Sequence, residues 1–278
     1  MMKRIVKSAF AATVALAVNG VPAEAADKKI ACEGSTTVLP IAEAFAEHFM
    51  ELHPDVNVTV AAGGSGNGAK AIVNGTADVG NMSRFMKEKE FQECAKMGRL
   101  PTAHVVAFDG IALVVNKANS VKALTLKQVR DIYAGDIKNW RELGGPDKEI
   151  VIISRDHNSG TFETFKKIVM AGEKEIDTSA QSMGSNGAIR TAVQGTPGAI
   201  GYVGLGFMEG VKALEINGVL PSLETVKTGV YAIARPLFMF TDGYPRMGTP
   251  LFQFITLYLT EDGQDIVEEL EFVPVTNY

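Results

Sequence analysis

The chain has 278 residues, of which 46% are hydrophobic and 21% are charged, and its formal net charge at pH 7 is −5. This length and apolar content suit one large or two medium globular domains with a sizeable core. The acidic balance, with no basic stripe interleaved with aromatic residues, argues against nucleic acid as a partner. The apolar run at 252–259 is too short for a membrane span, so we expect no membrane insertion.

The first 25 residues have the features of a signal peptide. Basic residues open the chain, and the apolar run at 9–18 that follows is too short to span a bilayer comfortably. The small-residue cleavage signal Ala23-Glu24-Ala25 comes next. These features predict a signal peptide at 1–25, cleaved near Ala25, and a mature protein exported to the periplasm.

The two cysteines, Cys32 and Cys94, would reach an oxidising compartment after export, where a disulfide is allowed. The distance between them cannot be read from the sequence, which leaves the bridge open. Their spacing matches no zinc motif, and the four histidines offer no ligand pair at helical spacing. We therefore expect no metal site and no cofactor.

The first part of the chain alternates strands, polar loops and helices. We predict strands at 28–32, 56–61 and a strand end at 77–80, with a helix from Leu39 and another at 69–73. The loops that follow these strands are Gly-Ser-Thr-Thr at 34–37, a glycine-rich run at 63–68 and Asn-Met-Ser-Arg at 81–84. This order is typical of a parallel α/β sheet, in which ligands bind beyond the carboxyl ends of the strands.

A long apolar strand pattern at 105–116 exceeds what one domain usually needs, so we interpret it as a crossing into a second domain. A second extended run at 230–240 is the predicted return crossing. Two lobes joined by two crossings describe a hinged clamp. The predicted lobes are 26–110 plus 236–278 (lobe I) and 111–235 (lobe II). Further predicted elements are helices at 125–133, 250–259 and 262–270, and strands at 149–153, 199–203 and 272–275.

The loop at 154–161 is the strongest candidate for a binding site. It joins the predicted strand at 149–153 to a helix whose first turn Ser159 or Thr161 could cap. Such a turn directs backbone N–H groups and the positive helix end toward one point, which suits an anion. Arg155 adds a planar fork of donors that fits a tetrahedral oxyanion. The alternative is an ordinary loop with a helix cap and a surface arginine.

Each of the other polar loops also has an ordinary explanation. The glycine-rich run lacks the Lys-Ser/Thr ending of a P-loop, and the Gly-Ser-Thr-Thr segment could serve only as a helix cap. The loops are more informative together than singly, because four strand ends have small hydroxyl residues and two of them have an arginine nearby. Together they favour a binding protein for an oxyanion.

A secreted serine hydrolase that uses Ser159 with His157 is the alternative from a different class. The two residues lie on one tight loop, which is poor geometry for a nucleophile and its base, and no Gly-x-Ser-x-Gly motif is present. A metal-dependent phosphatase would need clustered His and Asp ligands, which the sequence lacks. We therefore expect no enzymatic activity.

The motifs taken together resemble the periplasmic phosphate-binding proteins of bacterial Pst-type ABC uptake systems, in their shorter form. The resemblance covers essentially the whole mature chain. It rests on the segments at 34–40, 63–66, 78–84, 109–116, 132–140, 155–161, 197–203 and 235–238. The resemblance implies a two-lobed type II binding-protein fold that closes on one phosphate and delivers it to an ABC transporter permease. We expect the protein to be a monomer.

The resemblance also implies the ligand contacts, which fall on both lobes. They are Thr36, Thr37, Ser65, Ser83, Arg155, Ser159, Gly160 and Thr161. In relatives a carboxylate that accepts the phosphate proton, and so repels sulfate, stands where this chain has Ser83. Asp109 or Asp156 could replace that acceptor, or Asp156 could orient Arg155. Another tetrahedral oxyanion, sulfate or arsenate, is therefore the alternative ligand.

Overall fold

The structure is a computed structural model that describes residues 29–276. The predicted signal peptide lies outside the described residues. The first lobe begins with three parallel strands in the order β2-β1-β3. Its elements are β1 Lys29–Gly34, α1 Leu39–Leu52, β2 Asn57–Ala62, α2 Ser65–Asn74, β3 Val79–Met82 and α3 Glu88–Lys96. Because β1 lies between β2 and β3, the two crossover helices α1 and α2 cover opposite faces of the sheet.

Two long strands connect the lobes, as the sequence predicted. They are β4, Pro101–Val115, and β11, Ala234–Asp242, which run antiparallel to each other. The first part of β4 pairs with β11, whereas its last residues, from Ile111 to Val115, pair with β8 of the other lobe. A single strand thus belongs to the sheets of both lobes.

The second lobe is built around β8, which pairs with β4 and with β6. Its elements are β5 Ala123–Leu124, α4 Leu126–Tyr133, β6 Val151–Arg155, α5 Gly160–Phe165, β7 Gln181–Met183, α6 Asn186–Gly195, β8 Ala199–Gly204, β9 Lys212–Ala213, β10 Glu215–Ile216 and α7 Leu223–Lys227. A π-helical turn, Lys166–Met170, extends α5. The chain then returns to the first lobe with α8, Pro250–Ile255, and α9, Glu261–Glu269.

Each lobe has its own hydrophobic core. In the first lobe Phe45 and Phe49 of α1 pack with Phe254 of α8. In the second lobe Trp140 and Tyr202 are fully buried in a separate cluster. The α/β fold with two lobes and two crossings is therefore confirmed. The boundaries at 110/111 and 235/236 stay a prediction.

Several local predictions were wrong. The predicted last strand at 272–275 forms only a single bridge, between Phe108 and Val273. The pairing stops there because the backbone N–H of Val275 donates to the side chain of Gln264 at 2.6 Å instead of to a strand. The helix predicted from residue 69 begins earlier, at Ser65, since Gly64 takes a positive φ of 92° and starts the turn. The parallel pairing predicted for the first strands is confirmed for β1, β2 and β3, and the whole sheet is mixed because β11 runs antiparallel to its neighbours.

The structure does not join the two cysteines: both Cys32 and Cys94 are free and buried. The thiol of Cys32 belongs to the cluster formed with α1, whereas Cys94 belongs to the cluster around Met82 and Phe240. The two clusters lie on opposite faces of the first sheet, so a disulfide would need the sheet to be breached. Among residues 29–276, no helix is long and apolar enough to cross a membrane.

Candidate functional site

The candidate site lies where the carboxyl ends of strands from both lobes meet. The chain segments after β1, β2, β3 and β6 all place hydroxyl or glycine residues there. All the predicted contact residues are buried: Thr36, Thr37, Ser65, Ser83, Arg155, Ser159, Gly160 and Thr161. In α/β sheets this edge is also where helix N-termini present free N–H groups.

The two lobes touch at this point. Thr37 Oγ1 of the first lobe and Thr161 Oγ1 of the second are 3.1 Å apart, within hydrogen-bonding distance. The backbone N–H of Gly66 donates to the carbonyl of Asn158 at 2.9 Å. These contacts describe a closed clamp, with the hydroxyl groups enclosed between the lobes.

Within the first lobe Ser65 links two strand ends. Its Oγ accepts the backbone N–H of Ser83 at 2.9 Å and lies 3.3 Å from Ser83 Oγ. Ser65 is also the first residue of α2, so its hydroxyl stands at the positive end of that helix. The sequence places Ser65 and Ser83 in separate loops, and the structure brings them together.

Gly160 lies against this serine pair from the opposite lobe. A Cβ added to Gly160 would stand 2.4 Å from Ser65 Oγ and 2.7 Å from Ser83 Oγ. The backbone of α5 can therefore approach the first lobe so closely only because residue 160 has no side chain. The cap of α5 is Ser159, one of the two predicted candidates, whose Oγ accepts the backbone N–H of Phe162 at 3.2 Å.

Arg155 is the last residue of β6 and is almost wholly buried, with 3% of its surface exposed. Its Nε donates to the carbonyl of Met183 at 3.2 Å, and its Nη2 donates to that of Gly184 at 3.0 Å. Its Nη1 is buried and has no hydrogen-bond partner within residues 29–276. Burial lowers the pKa of Arg155 to about 10. A buried cation with a free N–H group is well suited to receive an anion.

The two candidate aspartates have different surroundings. Asp109 is fully buried; its Oδ2 accepts from Arg235 Nη2 at 2.8 Å and its Oδ1 accepts the backbone N–H of Leu205 at 3.0 Å. Burial raises the pKa of Asp109 and lowers that of Arg235, while the attraction between the two charges opposes both shifts. Asp156 is only half-buried, and its Oδ1 accepts the backbone N–H of Asn158 at 2.8 Å.

Two buried polar residues at the site were missed from the sequence. Asn186, at the start of α6, donates through Nδ2 to Thr37 Oγ1 at 2.9 Å and so bridges the lobes. Arg235 donates through Nη1 to the carbonyl of Ser83 at 3.1 Å. The sequence signal for Asn186 was its polar loop, Gly184 to Gly187, which like the loop at 154–161 leads into a helix.

The residues of the hydrolase hypothesis are not arranged as a nucleophile and a base. The ring of His157 packs edge-on against Phe162, with centroids 4.8 Å apart. In the part of the chain that the structure describes, no hydrogen bond joins His157 to Ser159, whose hydroxyl caps α5. The arrangement favours the ordinary loop role of His157.

The comparisons with known proteins agree with this geometry. A model of the PBP superfamily domain matches residues 19–261. The phosphate-binding protein PstS of Bacillus subtilis is 34% identical over 258 residues, which cover 91% of this chain and 83% of the relative.

Solved structures give the same assignment. One is a putative phosphate ABC transporter substrate-binding protein with bound phosphate from Clostridium perfringens, which is 36% identical to this chain with a TM-score of 0.82. The match covers 89% of this chain and 100% of the clostridial chain. An ABC-type phosphate transport receptor from Vibrio cholerae is 28% identical, with a TM-score of 0.70, and covers 88% of this chain and 99% of the other. With its two lobes, crossing strands and donor-lined cleft, the chain belongs to the PBP superfamily and, within it, to the PstS-type phosphate-binding proteins.

Proposed function

We propose that this protein is an extracytoplasmic solute-binding protein that captures inorganic phosphate between its lobes and delivers it to an ABC transporter permease. The observation that carries the proposal is Arg155, a buried guanidinium whose Nη1 has no partner among the described residues and which ends the strand that leads into the hydroxyl-bearing loop of Ser159 and Thr161. The names of the relatives, and the phosphate bound in the clostridial structure, support phosphate as the ligand.

The proposed ligand contacts are neutral dipoles around one cation. They are the hydroxyls of Thr36, Ser65, Ser83, Ser159 and Thr161, the backbone N–H groups of Thr37 and Gly160, and the guanidinium of Arg155. Each hydrogen bond to a charged ligand contributes about 1.5–3 kcal/mol, so several such donors can replace the hydration shell of a phosphate ion. The protein's net charge of −5 means that these local donors, and not the overall field, must attract the anion.

Closure of the lobes is the proposed step that traps the ligand. Thr37 and Asn186 belong to opposite lobes and are hydrogen-bonded in the closed arrangement. Only β4 and β11 carry the chain between the lobes, within the described residues, so the hinge would lie on these strands. The lobe boundaries at 110/111 and 235/236 fall on the same strands.

We further infer that the protein acts by binding and not by catalysis, in the periplasm and as a monomer. His157 packs on Phe162 and is not hydrogen-bonded to Ser159 in the described part of the chain, so it does not serve as the base that a serine nucleophile requires. The predicted signal peptide at 1–25 supports export. A chromogenic phosphate ester should therefore remain intact when it is incubated with the protein.

Calorimetric titration of dialysed protein with inorganic phosphate tests the proposal. We expect one phosphate ion bound per chain, and in cells we expect phosphate uptake to fall when the gene is deleted and to recover when it is restored. Absence of heat at any phosphate concentration, or hydrolysis of the ester, would contradict the proposed function.

A further inference from the structure

We propose that, among the described residues, this site has no carboxylate able to exclude a fully ionised ligand, and that it therefore accepts sulfate as well as phosphate. The inference rests on the proposed function, since it names the ligand class of the same site. It depends on the surroundings of each carboxylate near the cleft and on the donors that have no partner.

Asp109 is the most buried of these carboxylates, and its oxygens are already occupied. Oδ2 accepts from both Nε and Nη2 of Arg235, at 3.2 and 2.8 Å, and Oδ1 accepts from Leu205 N at 3.0 Å. The two opposite charges face each other with their side chains at most 3% exposed, so each offsets the other. A carboxylate in this state has little capacity left to accept a ligand proton or to repel a dianion.

The other carboxylates beside the cleft are also engaged. Glu90 binds Arg84 through both oxygens, at 2.7 and 2.8 Å. Glu163 pairs with Lys87 at 2.6 Å across the lobes. Asp156 is half-buried, and its Oδ1 accepts a hydrogen bond from the backbone N–H of Asn158 at 2.8 Å. None of these four groups, Asp109 included, is an unpaired buried carboxylate of the kind that would discriminate between protonation states.

Two arginines near the cleft have buried donors without a partner. Among the described residues, the buried guanidinium nitrogens without a hydrogen-bond partner are Arg155 Nη1 and Arg84 Nε. Arg84 lies beside Gly160, since its Cγ is 3.1 Å from the position that a Cβ on Gly160 would take, and Arg155 ends the strand that leads into the same loop. The orphaned donors therefore favour an anion with high charge and many acceptor oxygens.

The hydroxyl groups do not restore discrimination. Ser65 and Ser83 are 3.3 Å apart, and either can be the donor. A hydroxyl can accept the proton of a hydrogen phosphate ion, and it can turn to donate to sulfate, so neither ligand leaves an unpaired group. Exclusion requires a repulsive element, and a buried like charge that meets the ligand would supply one.

Competition calorimetry on the mature protein tests this inference. Phosphate is titrated into the dialysed protein first, then sulfate at equal ionic strength, then phosphate in the presence of sulfate. We expect sulfate to bind at the same site with a Kd within about 1,000-fold of that for phosphate, because no like charge opposes it. A larger gap, or no competition, would overturn the inference while leaving phosphate binding intact. Failure to bind phosphate at all would instead contradict the proposed function.

Two variants of one residue sharpen the test. Ser83→Asp places a carboxylate beside Ser65 and Gly160, whereas Ser83→Asn adds the same bulk without charge. We expect the Asp variant to lose at least about 1,000-fold more of its sulfate affinity than the Asn variant does. Equal losses in the two variants would mean that charge at this position does not control selectivity, and would count against the inference.

Discussion

Arg235 and Asp109 stand directly opposite each other on the two crossing strands and form a buried ion pair, with Nη2 and Oδ2 2.8 Å apart. Removing one partner leaves an uncompensated buried charge. We therefore expect Arg235→Met to lower the free energy of unfolding by about 3–5 kcal/mol, measured by urea denaturation. The double variant Asp109→Leu/Arg235→Met should lose less free energy of unfolding than the two single variants lose in sum.

The exposed pair of Arg141 and Asp147 is a matched control. Their side chains are 66% and 70% exposed and 3.3 Å apart. We expect Arg141→Met to cost less than about 1 kcal/mol, because solvent screens such pairs. Similar losses at the two pairs would show that burial does not set the strength of the Arg235–Asp109 interaction.

Arg155→Lys tests the geometry of the guanidinium. Lysine keeps the positive charge but cannot place a donor where Nη1 lies, so we expect the Kd for phosphate to rise by about 10- to 150-fold. Titration calorimetry measures the change, with Arg141→Lys on the surface as the control. An unchanged Kd would mean that charge alone is required at this position.

Gly160→Ala tests the close approach of the lobes. The added Cβ would stand 2.4 Å from Ser65 Oγ, so the closed clamp must open slightly at a cost of about 1–3 kcal/mol. We expect phosphate binding to weaken by about 5- to 150-fold, while the melting temperature of the ligand-free protein changes little.

Gly195→Ala in α6 is the control, because no atom of the described residues lies within 4 Å of the added Cβ. Its phosphate affinity should match that of the unmodified protein. Small-angle scattering would report whether the Gly160 variant remains open in saturating phosphate. A normal affinity for Gly160→Ala would show that the lobes do not meet at this residue when the ligand is bound.

His104 predicts a pH dependence of stability. It is 3% exposed and lies 2.9 Å from Thr241 Oγ1, and burial lowers its pKa. The folded state therefore binds fewer protons than the unfolded state once the pH falls below the ordinary histidine pKa of about 6.5. The contribution of neutral His104 to the free energy of unfolding is fully present above that pH, and it decreases as the pH falls toward the lowered pKa.

We expect a decrease of up to about 1.4 kcal/mol per pH unit in this window, measured by denaturation between about pH 7 and 5.5. His104→Gln should be less stable at neutral pH but should show a smaller slope. An identical slope in the variant would assign the pH dependence to other groups.

The two cysteines should behave as buried thiols. Cys32 and Cys94 are 2% and 0% exposed, and burial raises the pKa of both. We expect no reaction with a thiol reagent in the native protein and reaction of both thiols after denaturation without a reductant. Detection of a disulfide by mass spectrometry would contradict the structure.

Much of the candidate site was predictable, because each part of it is a local pattern. Alternating and helical periodicities locate the strands and helices, and the residues after the strands are visible as Ser, Thr and Gly. The error at Ser65 arose since glycine-rich runs usually predict loops, whereas here Gly64 starts a helix at once. Such an error shifts a boundary but does not move the residue from the site.

Local sequence patterns were enough to identify the segments that end in hydroxyl groups, the two crossings between the lobes and the family of the chain. The pairing of Asp109 with Arg235, 126 residues away, and the contact of Asn186 with Thr37, 149 residues away, became visible only in the folded chain. The same is true of the placement of Cys32 and Cys94 in different clusters. Such contacts depend on strand order and register, which no local pattern records.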